Sequence, residues 1–142
     1  MTDLEKAYRI AETADVATPE NSVVLYSISY QSTDKNKKQA HQYMNEHPES
    51  MMLDDTDCGK QLIALGLETG PDNPPEELMK IWRIASKRFI MSASGNVTAF
   101  VENADRRSTF VSVELPLILQ NDKIKLINGK DKFEFSKQFN GD

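Results

Sequence analysis

Residues 22–28 (Ser-Val-Val-Leu-Tyr-Ser-Ile) form a continuous apolar run of strand length with no polar alternation. A strand facing water on one side alternates, so a run like this belongs in a parallel sheet covered on both faces. Parallel neighbours need long crossovers, usually helices. The chain supplies them. Residues 3–14 carry Leu4, Ala7, Tyr8, Ala11 and Ala14 at helical spacing, and Pro19-Glu20-Asn21 breaks that pattern before the run begins.

Beyond the run, helical and strand-like segments alternate. Residues 34–46 read as a surface helix with a weak apolar face (Ala40, Tyr43, Met44), Asp34 as N-cap and Pro48 beyond its end. Met51-Met52-Leu53 leads into Asp54-Asp55-Thr56-Asp57, at the head of a helix from Gly59 to Leu65 that Gly66 ends. Acids at that end suit the helix dipole. Calcium is rejected for them, because the spacing, glycine and distant glutamate of an EF-hand are absent.

The clearest helix follows a turn-rich loop, with Asn73 as the expected cap, Pro74 in the first turn and Glu76 in a capping box. Leu78, Ile81, Trp82, Ala85 and Phe89 mark its apolar face, and Ser94-Gly95 its expected end. Trp82 and Ser86 lie one turn apart on it; a lone tryptophan there is ordinarily core. Asn96–Val101 reads as a strand and 102–107 as a polar loop.

Residues 108–116 (Ser-Thr-Phe-Val-Ser-Val-Glu-Leu-Pro) alternate and stop at a proline, so a strand is expected. It would point Val111, Val113 and Leu115 inward and Phe110, Ser112 and Glu114 outward. Glu114 would then sit at the strand's carboxyl end, where open α/β sheets bind ligands. A half-exposed edge strand with a solvated glutamate is the plainer reading of that segment alone. A helical turn at Leu117–Leu119, an edge strand at Lys123–Ile127 and a tail or hairpin over 128–142 complete the chain.

The expectation is one α/β domain over 1–142, with a small mainly parallel sheet flanked by helices. It comprises an N-terminal helical part (1–20), a core (22–127) and the C-terminal stretch (128–142). Its net charge of -5 argues against a nucleic-acid backbone as partner, and the basic run Lys35, Lys37 and Lys38 reads as a solvated helix start. No apolar run is long enough for a membrane span, and residues 1–20 lack a signal peptide's apolar centre. Cys58 is the sole cysteine, so an internal disulfide is excluded and a reducing compartment fits. With only His41 and His47 to add, a zinc site is not expected. Asn96-Val97-Thr98 matches a glycosylation acceptor and is read as coincidence.

Four segments, in order, resemble the ADP-ribosyl cyclase/NAD glycohydrolase family, including its compact bacterial toxin-type domains. They are Leu25-Tyr26-Ser27; Met52-Leu53-Asp54-Asp55-Thr56 with Gly59; Ile81 to Phe89 with Trp82 and Ser86; and Ser108 to Glu114. The resemblance implies an ADP-ribosyl-cyclase-like fold and a role for each matching position. Glu114 would be the catalytic glutamate. Trp82 and Tyr26 would guide the nicotinamide end of the dinucleotide, and Asp54 would lie near its carboxamide. Ser27, Ser86, Thr109 and Phe110 would line the ribose and phosphate side.

The residue set suits that chemistry. Nicotinamide leaves NAD as a neutral base, so no general acid is needed, unlike an ordinary glycoside with its two carboxylates. One ionised carboxylate can stabilise the oxocarbenium ion or trap it, and aromatic faces attract the pyridinium. The pattern departs from the family in four places: Ile63 replaces a second acid, Ile28 a basic residue, Tyr26 a tryptophan, and Asp54 a glutamate.

The expected function is therefore NAD or NADP glycohydrolase, yielding nicotinamide and ADP-ribose, with the dinucleotide as substrate and no cofactor. A toxin or effector acting in a target cell's cytoplasm, neutralised in the producer by an immunity protein, is the expected setting. The alternatives are a non-catalytic nucleotide-binding or interaction module, and an ADP-ribosyl cyclase or transferase.

Overall fold

A computed structural model describes residues 2–27, 35–71, 73–102 and 110–139. Four strands form one sheet in the order β1 (Val24–Tyr26), β2 (Gly95–Phe100), β3 (Ile124–Ile127), β4 (Lys130–Asp131). β1 and β2 are parallel (Leu25 opposite Ala99), as are β2 and β3, while β3 and β4 form an antiparallel hairpin. The hairpin turn is Asn128-Gly129, both with positive φ, the pair a two-residue turn of this hand favours. The Asn128 amide also pairs with both backbone groups of Ala99, at 2.8 and 2.9 Å, so it stands in for one more ladder residue. The sheet is mainly parallel, as its apolar first strand requires. β3 is an inner strand rather than the expected edge, because the C-terminal stretch adds β4 beside it.

Helices cover the sheet: α1 (Asp3–Thr13), α2 (Lys35–Glu46), α3 (Asp57–Leu65), α4 (Pro75–Ser92), α5 (Leu115–Gln120) and α6 (Lys132–Ser136). Thr2 and Glu5 close a reciprocal capping box on α1. Ala7 and Ala11 are buried at 1% and 0% exposure, and these small residues let α1 lie close against α3 and α4. Thr56 caps α3, accepting from the Gly59 amide at 3.1 Å, and Gly66 ends it at φ 61°.

α4 buries Ile81, Ala85, Phe89 and Ile90. Its ends differ from expectation. Pro74 is the cap and Pro75 the first helical residue, while the Asn73 amide donates instead to the Glu68 carbonyl. α4 also stops at Ser92, because the Asn121 side chain takes up the Ile90 and Ala93 carbonyls at 2.9 and 3.1 Å.

The largest correction concerns the segment expected as a strand. Phe110–Glu114 is a π-helical turn running straight into α5. Here β-branched propensity yields to packing, since this segment lies against α4 and α5. Its buried face is Phe110, Leu115 and Ile118 rather than Val111, Val113 and Leu115.

Candidate functional site

A parallel bridge stands at the amino end of β1. Val23 pairs with Met51, with Met51 N donating to Ser22 O at 2.8 Å and Val24 N to Met51 O at 3.0 Å. From that bridge both chains run the same way, reaching Tyr26 on one side and Asp54 on the other. His41 of α2 stands beside both. Its ring centroid is 6.2 Å from that of Tyr26, and its charge acts on Asp54. Burial, then the neighbouring Asp55, pushes the Asp54 carboxyl above its usual value, while His41 and Lys37 pull it back. His41, Met44, Ser50, Met52 and Asp54 line a cavity of about 550 Å³ here.

The Asp54 turn (Leu53–Asp55) is held from both ends. Asp55 accepts the Met52 amide at 2.9 Å, and the Thr56 hydroxyl donates to the Leu53 carbonyl at 2.6 Å. Gly59 lies flush beneath it: a β-carbon there would stand 2.1 Å from the Leu53 carbonyl oxygen. Ser27, just past β1, is buried, with its amide donating to Phe100 O at 3.0 Å. Its carbonyl accepts from the buried Asn36 side chain at 2.8 Å, and the same amide nitrogen reaches the Glu102 carbonyl at 2.9 Å. Asn36 thus clamps the ends of β1 and β2 together.

α4 connects this region to Glu114, because it packs against both the Leu53–Asp55 turn and the Phe110–Glu114 turn. Trp82 and Ser86, both half-buried, share one cavity of about 320 Å³ with Thr69, Leu78, Met79 and Arg83. Phe110 is enclosed at 1% exposure, edge-on to Phe139 with centroids 6.0 Å apart. Four residues on, nearly one turn of the same helical segment, stands Glu114. Burial pushes its carboxyl from the usual 4.5 up to about 7.

The structure gathers Tyr26, Ser27 and Asp54 at one end of the sheet, Trp82 and Ser86 in one cavity, and Glu114 on a turn packed against the tryptophan helix. Thr109 lies outside the described residues. His41 and Asn36 escaped the sequence reading, because their placement follows from how α2 docks on β1. Among the described residues, no cluster of three His, Cys, Asp or Glu side chains could hold a metal.

No protein-family profile matches the chain, and no curated protein does. Solved structures do. Aplysia cyclase with its substrate NGD and product cGDPR is 25% identical, with a TM-score of 0.55 over 77% of this chain and 48% of that one. An ADP-ribosyl cyclase with a glutamate changed to alanine is 22% identical, with a TM-score of 0.59 over 87% of this chain and 61% of that one. Porcine CD38 with a covalent intermediate, ribo-F-ribose-5'-phosphate, is 17% identical, with a TM-score of 0.57 over 96% of this chain and 78% of that one. The fold is that of the ADP-ribosyl cyclases. This chain spans about half to three fifths of the cyclases' own length.

Proposed function

We propose that this domain cleaves the nicotinamide–ribose bond of NAD or NADP, releasing nicotinamide and ADP-ribose. The observation that carries the reading is a half-buried glutamate, Glu114, its carboxyl pushed up to about 7, on a turn packed against the Trp82 helix, within a cyclase fold. Nicotinamide departs neutral, so the protein has to manage only the positive charge developing on the ribose carbon. Glu114 in its ionised form does this, electrostatically or by forming a transient ester as water waits its turn. The covalent intermediate seen in porcine CD38 supports that role for a nucleophile in this fold.

The Trp82 face attracts the pyridinium before cleavage and keeps water from the reacting carbon. Tyr26 is the second aromatic wall. Asp54, whose carboxyl burial raises above its usual value, accepts a hydrogen bond from the carboxamide. By the resemblance, Ser27, Ser86 and Thr109 would line the ribose and phosphate side, with the enclosed Phe110 packed behind it. Water is the acceptor we favour, because cyclisation requires adenine to fold back into a tightly shaped pocket.

The biological setting we propose is a toxin or effector that depletes the dinucleotide in a target cell's cytoplasm, with an immunity protein as its partner in the producer. A lone, buried cysteine supports action under reducing conditions. The experiment is chromatographic product analysis after incubating the purified protein with NAD, beside Glu114→Gln. Nicotinamide and ADP-ribose in equal amounts from the wild type alone are expected. Binding by calorimetry without release would instead identify a nucleotide-binding module, and label transferred to protein or nucleic acid a transferase.

A further inference from the structure

We propose that Arg83, helped by the Thr69 hydroxyl, is the anchor for the substrate's diphosphate. This subsite rests on the dinucleotide reading above. In the matched family pattern a basic residue follows the aromatic-serine pair, and that position here is Ile28. The anionic half of the ligand therefore needs another cation.

The face of α4 that walls the 320 Å³ cavity has two ridges. Leu78, Trp82 and Ser86, at i, i+4 and i+8, form the inner one; each is half-buried. Met79 and Arg83, at i and i+4, form the outer one; both are exposed, and Thr69 faces them from the loop before α4. A flat apolar surface thus lies inside and a guanidinium outside, within one cavity. A ligand with a cationic ring at one end and a diphosphate behind it matches that polarity in only one direction, ring inward.

Among the described residues, Arg83 forms no ion pair and no hydrogen bond, whereas Lys80 one turn earlier is paired with Glu77 at 3.7 Å. Its five donors are therefore uncommitted, and a planar fork suits two phosphate oxygens better than an ammonium would. In a chain of net charge -5, such a cation at a cavity mouth also offsets repulsion of an anionic ligand.

The test is calorimetric titration with ADP-ribose and, separately, with phosphate-free nicotinamide riboside. Wild type, Arg83→Gln, Arg83→Lys and Lys87→Gln are compared. Arg83→Gln is expected to weaken ADP-ribose about tenfold or more, the loss of a charged hydrogen-bonded contact, with nicotinamide riboside unaffected. Arg83→Lys should recover part of the loss, and Lys87→Gln, which changes bulk charge equally, should lose nothing. Equal losses from Arg83→Gln and Lys87→Gln, an equal effect on both ligands, or no ADP-ribose binding at all would overturn the assignment. Nicotinamide release is measured in parallel: an Arg83-dependent ADP-ribose site in a protein that releases none would sink the hydrolase reading and leave this subsite standing.

Discussion

Two residues show how the site trades stability for chemistry. Glu114 holds a proton in the folded chain up to about pH 7, whereas an unfolded chain releases it near 4.5. Folding therefore takes up a proton at Glu114 between those values, so this group's contribution to stability is greatest below about pH 4.5, falls as pH rises to about 7, and then levels. The loss is about 3 kcal/mol at most, from the size of the shift. Glu114→Gln should abolish this slope and make the protein more stable at pH 8; denaturant melts across pH 4–8 would show it, and parallel curves for the two proteins would refute it. Catalysis needs the ionised form, so kcat/KM for NAD should climb with pH and inflect near 7. Gly59 tells the complementary story. Its missing β-carbon lets α3 press against the backbone of the Asp54 turn, where an added β-carbon would collide with the Leu53 oxygen and stand 2.8 Å from the Asp54 α-carbon. Gly59→Ala must displace that turn, costing about 1–3 kcal/mol, and is expected to reduce turnover by moving Asp54; an unchanged Tm would argue against so tight a contact.

Among the elements, the π-helical turn Phe110–Glu114 stands out, since such turns recur at functional sites. Pro116 gives it a cause. Within a continuous helix a proline clashes with the carbonyl four residues back, here Ser112, and removes one amide. A widened turn just before it relieves that clash and sets where Glu114 points. Pro116→Ala, at an exposed position, should leave Tm unchanged or raised while lowering kcat about tenfold or more, as a misplaced reacting group does. Unaltered kcat would remove proline from the account. The same element marks where sequence reading ends. Ser108 to Pro116 alternates as a strand does, and packing against α4 makes Phe110–Glu114 helical, yet Phe110 and Glu114 share a face either way because four residues is nearly one turn. The buried β1, the amphipathic α4 and the sheet's parallel character were legible, since each follows from a local apolar pattern. The α4 cap shifted by one residue because two prolines are adjacent there. That Tyr26 and Asp54 both come near His41 depends on the Val23–Met51 bridge and on how α2 docks, and His41 and Asn36 carry no local signal of their placement.

Across the whole molecule, the helices that carry the candidate site must stay registered to the sheet that ends beneath it. Asn121, 3% exposed at the junction of α5 and β3, does much of this. Its amide nitrogen donates to the carbonyls of Ile90 and Ala93 that close α4, and its side-chain oxygen accepts the Lys123 amide at 3.0 Å. Its own carbonyl, with that of Ile118, accepts from the buried Lys132 ammonium at 2.9 and 3.1 Å, so the C-terminal α6 is fastened to the same point. One side chain thus joins the tryptophan helix, the third strand and the C-terminal stretch. Removing it takes from the Ala93 carbonyl its side-chain partner, a cost of about 1–3 kcal/mol where water cannot replace the bond, and leaves the Ile90 carbonyl with the Ala93 amide at 3.2 Å. Asn121→Ala is therefore expected to lower unfolding stability by about 1–3 kcal/mol with one transition and an unchanged m-value. Nicotinamide release per folded molecule should persist at low temperature, because Trp82 lies nearly three turns from the end of α4. Unchanged stability in urea would mean that the helices and the sheet hold together without this junction, and that the α4–Glu114 arrangement is secured by apolar packing alone.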